Sequence, residues 1–197
     1  MGGTRRRGRQ PVRTGWRAVV DSFGGFLVVG SIGAAIVVVV ALVVLNRPGD
    51  QGARTASTQP LMGELINTPE RTHVADQSLL RIVSGQPPAG GPHFATAQAV
   101  GTYDTPIPDG NAIHALEHGI VWISYNPDKV DAGAVTALKR VAQAYPRDAI
   151  LSPRPDNSMP IALASWMRLL RQDTLDEQQM RDFIVTNRNR SPEPFAR

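Results

Sequence analysis

The chain has 197 residues, 42% of them hydrophobic and 19% charged, with 21 Lys and Arg against 17 Asp and Glu and no cysteine. That length allows one ordinary domain plus an appendage. Without thiols there are no disulfides, iron–sulfur clusters or Cys-zinc sites, so any metal must be held by His, carboxylate, Met or backbone.

The basic excess is local. Residues 1–47 carry seven Arg (Arg5, Arg6, Arg7, Arg9, Arg13, Arg17 and Arg47) and one acid, Asp21, which leaves 14 basic and 16 acidic residues over 48–197. The remainder is slightly acidic, so no nucleic-acid partner is expected. Residues 1–20 read as a basic cytoplasmic tail, with Trp16 near the membrane boundary, where Trp is enriched. Residues 21–46 read as a transmembrane helix. There is no charge from Ser22 to Asn46, Ala34 to Leu45 has no polar side chain, and ~20 apolar residues cross a bilayer core. Gly30-Ser-Ile-Gly-Ala34 is a small-xxx-small pattern that can pack helices. Six Arg before the span and one just after it predict a cytoplasmic N-terminus and an extracytoplasmic remainder. The apolar run is longer than a typical signal-peptide core and no A-x-A-like site follows, so an uncleaved signal-anchor is expected. The partners this implies are the lipid bilayer and other membrane proteins. Residues 47–60 form a polar, turn-rich linker, and residues 61–197 the extracytoplasmic domain.

Within that domain residues 67–111 are rich in Pro and Gly and lack sustained periodicity, which predicts a long ordered loop region. Loops of that length inside a domain commonly carry function. Gly119 to Tyr125 is β-branched and aromatic, a buried strand, and Asn126-Pro-Asp is a turn. Val130 to Tyr145 is a helix with Val130, Ala134, Val135, Leu138, Val141, Ala142 and Tyr145 on one face. Short strands follow at Ala149–Ser152, closed by Pro153, and at Pro160–Trp166. Thr174-Leu-Asp-Glu177 is a capping box opening a last helix to about Asn187. The fold class is α+β: a transmembrane helix, then a small β-sheet domain with a β-α-β-β-α C-terminal half and a long Pro/Gly-rich loop region. That order matches part of a thioredoxin-like layout, but without Cys thioredoxin chemistry is excluded. Trp122, Tyr125 and Trp166 belong to the core on this reading.

All four histidines, His73, His93, His114 and His118, fall in one short window. Histidine is the commonest metal ligand. Four residues apart on a helix, His114 and His118 lie ~6 Å apart and can share an ion. On a strand they lie ~13 Å apart and cannot. Asp109 or Asn111 as cap and Gly119 as terminator favour the helix. The rival is a strand from Ile113 to Tyr125. His93 follows Gly-Gly-Pro, which can fix its backbone beside a partner. Glu117 reads as a ligand, as an acceptor for a histidine N–H, or as an exposed helix residue. Met159 would favour copper over zinc as a ligand, and is otherwise a core filler. His73, furthest from the block, reads most simply as a surface or hydrogen-bonding residue. The candidate metal ligands are therefore His93, His114, His118, Glu117, Met159 and His73, and the candidate ions copper and zinc. His114-Ala-Leu-Glu-His118 also satisfies the H-x-x-E-H string of inverzincin peptidases, but those need a long helix and a distant third ligand, whereas Gly119 and a β-rich run follow here.

Pro87-Pro-Ala-Gly-Gly-Pro-His93, Gly101-Thr-Tyr-Asp104, His114-Ala-Leu-Glu-His-Gly119 and Ser191-Pro-Glu193 resemble the bacterial family named "domain of unknown function 3105". The resemblance covers roughly residues 64–194 and departs at Ala89-Gly90, where a Thr-Ser-like pair is expected. It implies one N-terminal span and an exported domain, and it adds no activity. The leading expectation is a membrane-anchored extracytoplasmic metal-binding domain serving metal delivery or sensing. The alternatives are a non-metal accessory or scaffold subunit of a membrane complex, and the H-x-x-E-H peptidase. No nucleophile–base pair, phosphate loop or dinucleotide fingerprint points to catalysis.

Overall fold

Alternation along the strand that follows Gly119 organises the domain. The computed structural model describes residues 56–194 and 196, all within one compact unit, residues 48–197. The basic tail, the expected span at 21–46 and most of the linker lie outside the described residues. No helix among the described residues is long and apolar enough to cross a membrane. In chain order the elements are β1 (Glu64–Leu65), a 3-10 turn (Gln77–Leu79), β2 (Gly101–Thr102), α1 (Asp109–Glu117), β3 (Val121–Tyr125), α2 (Ala132–Gln143), β4 (Ala149–Pro153), β5 (Ile161–Ser165), β6 (Arg168–Gln172) and α3 (Glu177–Asn187).

The domain is mixed α+β, with one six-stranded sheet ordered β1-β6-β5-β3-β4-β2. β3 and β4 pair in parallel, Val121 opposite Ala149, and β2 extends that parallel edge. β5 returns antiparallel to β3, and β6 folds back on β5. Side chains on a strand point alternately to opposite faces. Val121, Ile123 and Tyr125 therefore meet Leu138, Val141 and Tyr145 of the α2 region and Phe183 and Ile184 of α3 on one face. On the other face Trp122 packs with Ile113 and Leu116 of α1, and with Ile150, Ala162, Ala164 and Trp166. The sheet is thus covered on both sides, which is why all five residues of β3 are buried.

The helix boundaries follow local chemistry. Asp131 caps α2, its Oδ1 accepting from the Ala134 N–H at 2.7 Å. Asp176, not Thr174, caps α3, accepting from the Gln179 N–H at 2.9 Å. The Glu177 carboxylate, expected to close a capping box, pairs with Arg140 and Arg181 instead. α1 begins after Pro108, with no side-chain cap. Asp109, expected as cap, is its first residue, and its carboxylate takes a two-pronged hydrogen bond from Arg154, Nε to Oδ1 at 3.0 Å and Nη2 to Oδ2 at 2.9 Å.

The C-terminal half runs β-α-β-β-β-α, one strand more than the sequence predicts. The added strand, β6, holds Arg168, Arg171 and Gln172. Its polarity hides it from a period-two reading, while Leu169 and Leu170 anchor it to opposite faces of the sheet. Of residues 67–111, expected as loop, 109–111 open α1 and 67–108 are mostly loop. They are nailed down by the bridge of His73 with His93, in which the Val74 N–H donates to His93 O at 2.8 Å and the His93 N–H to Thr72 O at 3.0 Å.

A candidate metal centre of three histidines and a glutamate

The site forms where that bridge crosses the C-terminal turn of α1. The helical alternative for residues 111–119 is the one observed, ending in a Schellman motif at Gly119. The Ile120 N–H reaches Ala115 O and the Gly119 N–H reaches Leu116 O, each at 3.0 Å. Gly119 has φ +83° and lies against the tail, so that a Cβ there would stand 2.7 Å from Asn189 Cα. Glycine is needed for both the conformation and the approach. Gly110 plays a similar part at the other end of α1, where a Cβ would sit 2.6 Å from the Phe94 ring. That close approach brings the Phe94 carbonyl to His114.

Four side chains converge. One ligand atom each from His73, His93, His114 and Glu117 lie within 4.8 Å of one another. The imidazole centroids are 5.0 Å apart for His73 and His93, 4.9 Å for His73 and His114, and 4.8 Å for His93 and His114. His93 is 0% exposed, Glu117 2% and His114 6%, whereas His73 faces solvent. Beside His73 opens a surface cleft of 570 Å³, lined also by Phe94, Thr96 and Asn111. Trp166 meets the His93 ring edge-on and walls the buried side.

The tautomers follow from the backbone. His93 Nδ1 lies 2.9 Å from Gly91 O and His114 Nδ1 lies 2.7 Å from Phe94 O. A carbonyl only accepts, so each Nδ1 carries the proton and donates it. In the neutral rings Nε2 is then the nitrogen with the lone pair. His93 Nε2 stands 3.1 Å from Glu117 Oε2, yet the two are not aligned for a hydrogen bond and Nε2 has no hydrogen-bond partner. Glu117 Oε1 is also buried without a hydrogen-bond partner. A buried imidazole nitrogen and a carboxylate oxygen crowded together without a hydrogen bond are unfavourable unless a cation binds beside them. Ligands on one zinc-like ion lie ~3.3 Å apart at tetrahedral bond lengths, close to the His93–Glu117 separation.

Burial, the largest influence, holds the His114 imidazole below its ordinary value of 6.5; the hydrogen bond to Phe94 O and the nearby Glu117 oppose this, while His93 and His73 reinforce it. A folded-state value below the unfolded one means that the native state takes up the proton less readily. The contribution of His114 to stability is then complete above about pH 6.5 and is lost as the pH falls from there through the lower folded-state value. In chelator, the urea midpoint should drop on going from about pH 7.5 to about pH 5.5, and the drop should shrink in His114→Asn. A flat profile in the parent chain would contradict the assignment.

The helical spacing predicts one ion shared by His114 and His118. Their rings are indeed neighbours, with centroids 4.5 Å apart. His118, however, groups with Glu117 and Glu193, and its Nε2 is 3.8 Å from Glu193 Oε2. His73, expected to be peripheral, stands inside the four-residue group. Met159 is buried in the apolar cluster around Trp122 and Trp166, the position of a core filler. Arg71 was not singled out by the sequence. Its Nε is 4.0 Å from Glu117 Oε1 and its Nη1 4.0 Å from Glu193 Oε1.

Fold and site together define a mixed α+β domain that gathers histidines and a carboxylate from a loop bridge and one helix. The chain belongs to the family described as "Protein of unknown function (DUF3105)", whose family model matches residues 83–197. His93, His114, Glu117, His118 and Glu193 fall inside the matched residues, while Arg71 and His73 precede them. No curated protein and no solved structure matches the chain.

Proposed function

We propose that the chain is a membrane-anchored, extracytoplasmic domain that binds a divalent transition-metal ion through His73, His93, His114 and Glu117. The observation that carries the reading is the buried pair His93 Nε2 and Glu117 Oε2, 3.1 Å apart and not hydrogen-bonded to each other. The Nδ1–H bonds to Gly91 O and Phe94 O support it, because metal-binding imidazoles commonly donate their other nitrogen to a carbonyl. Three imidazoles and a carboxylate suit zinc or copper(II). The exposed ligand, His73, beside an open cleft, suits a site that exchanges its ion and thus delivery or sensing. Anchoring and extracytoplasmic placement are supported by the uncharged run from Ser22 to Asn46 and by the Arg asymmetry around it.

The same Nδ1 bonds also favour a second reading, in which the histidines only staple the loop to α1 within a scaffold subunit. The peptidase reading is weaker, since α1 has nine residues and His118 groups away from the His73–His93 side. Elemental analysis of the full chain, purified in detergent without a His tag, separates the first two. At least one equivalent of zinc or copper per chain is expected. A preparation that holds no metal, and takes up neither zinc nor copper on loading, would leave the scaffold.

A further inference from the structure

Resting on that reading, we propose that Glu117 bridges two cation sites, the second completed by His118 and Glu193. One ligand atom each from Glu117, His118 and Glu193 lie within 4.8 Å of one another, so Glu117 belongs to both groups. Its two oxygens have different neighbours. Oε2 faces His93 Nε2 at 3.1 Å. Oε1 is buried, makes no hydrogen bond, and lies on the side of Arg71, which also approaches Glu193. A buried carboxylate that belongs to two ligand groups, with one oxygen beside His93 and the other without a hydrogen bond, suits a bridging mode, and bridged metal pairs stand ~3.5–4 Å apart. His114 and His118, one helical turn apart with centroids 4.5 Å apart, then supply one imidazole to each ion.

The backbone of the tail fixes Glu193 beside Glu117. The Glu193 N–H donates to Glu117 O at 3.1 Å and the Asn189 N–H to Gly119 O at 2.9 Å, so residues 189–193 pack across the end of α1. Only a glycine at 119 permits that approach. Arg71 places its guanidinium 4.0 Å from both carboxylates, a cation standing where a second metal ion would add positive charge. Its side chain is 52% exposed and can swing outward, as can that of Glu193 at 50%. The second site is therefore the weaker and more labile of the two, and Arg71 competes for it.

The test is equilibrium dialysis of the metal-free full chain against Zn(II) alone. Two equivalents are expected, the second bound more weakly. Glu193→Gln, a change at an exposed side chain, should lose the second equivalent and keep the first. Arg71→Gln should tighten the second several-fold. With Cu(II) alone, the integrated paramagnetic resonance intensity at two equivalents should fall below the copper content, because the carboxylate couples the spins, and should match it in Glu193→Gln. Saturation at one equivalent, or two equivalents persisting in Glu193→Gln, would overturn the bridged pair and leave the single centre standing. No uptake at all would overturn both.

Discussion

Replacing His93 should abolish the stabilisation that metal gives the chain. An ion that binds only the native state raises stability by about 2.7 kcal/mol at a hundredfold excess over Kd. The parent full chain should show a gain of that order in unfolding free energy with Zn(II) or Cu(II) above about pH 7, shrinking towards about pH 5.5 as the imidazoles protonate. His93 is wholly buried, so alanine would also remove packing. The cleaner variant is His93→Asn, whose amide can still donate to Gly91 O but offers no lone-pair nitrogen. It should lose more than about 100-fold in metal affinity, above the effect of removing a group that only orients a ligand. The readout is the metal-induced shift within each variant, which cancels differences in metal-free stability. An undiminished shift in His93→Asn would remove the buried pair from the site.

Arg154→Ala should be strongly destabilising, by about 3 kcal/mol, the lower end for a buried pair that loses one partner. Arg154 is 5% exposed, and besides Asp109 it donates to Asn157 Oδ1 at 2.9 Å. Asn157 in turn donates to Ser124 Oγ at 2.9 Å, beneath the end of β3. Truncation leaves the Asp109 carboxylate, only 17% exposed, and this network short of a donor. The melting temperature should fall by roughly 10 °C for a domain of this size. Arg154→Lys should recover little, because an ammonium cannot reproduce the two-pronged bond. Since Asp109 opens α1, the helix that carries His114 and Glu117, metal affinity should fall as well. A change in melting of under about 2 °C for Arg154→Ala would show that α1 is held by its apolar face alone.

Much of this molecule was open to reading in the chain because it is local. The absence of cysteine limits the ligands to imidazole, carboxylate, thioether and backbone. The β-branched run after Gly119, the apolar face from Leu138 to Tyr145, and Gly119 itself specify β3, α2 and the end of α1 through neighbours a few residues apart. The spacing of His114, Glu117 and His118 is likewise a property of one helical turn.

What the chain did not disclose depends on contacts between distant residues. A single bridge between His73 and His93 has no periodicity, yet it alone converts His73 from an isolated loop histidine into a member of the group. Arg71 and Glu193 come to Glu117 from opposite ends of the domain, the latter only because the tail packs on Gly119. β6 is a strand because β5 offers it hydrogen bonds, against the message of its own polar residues. Asp109 gives up its expected capping role because Arg154, 45 residues on, offers its carboxylate a better donor. Local propensities are worth tenths of a kcal/mol per residue, and a buried two-pronged ion pair or a sheet edge outweighs them. Tertiary structure therefore decided which of the named side chains meet.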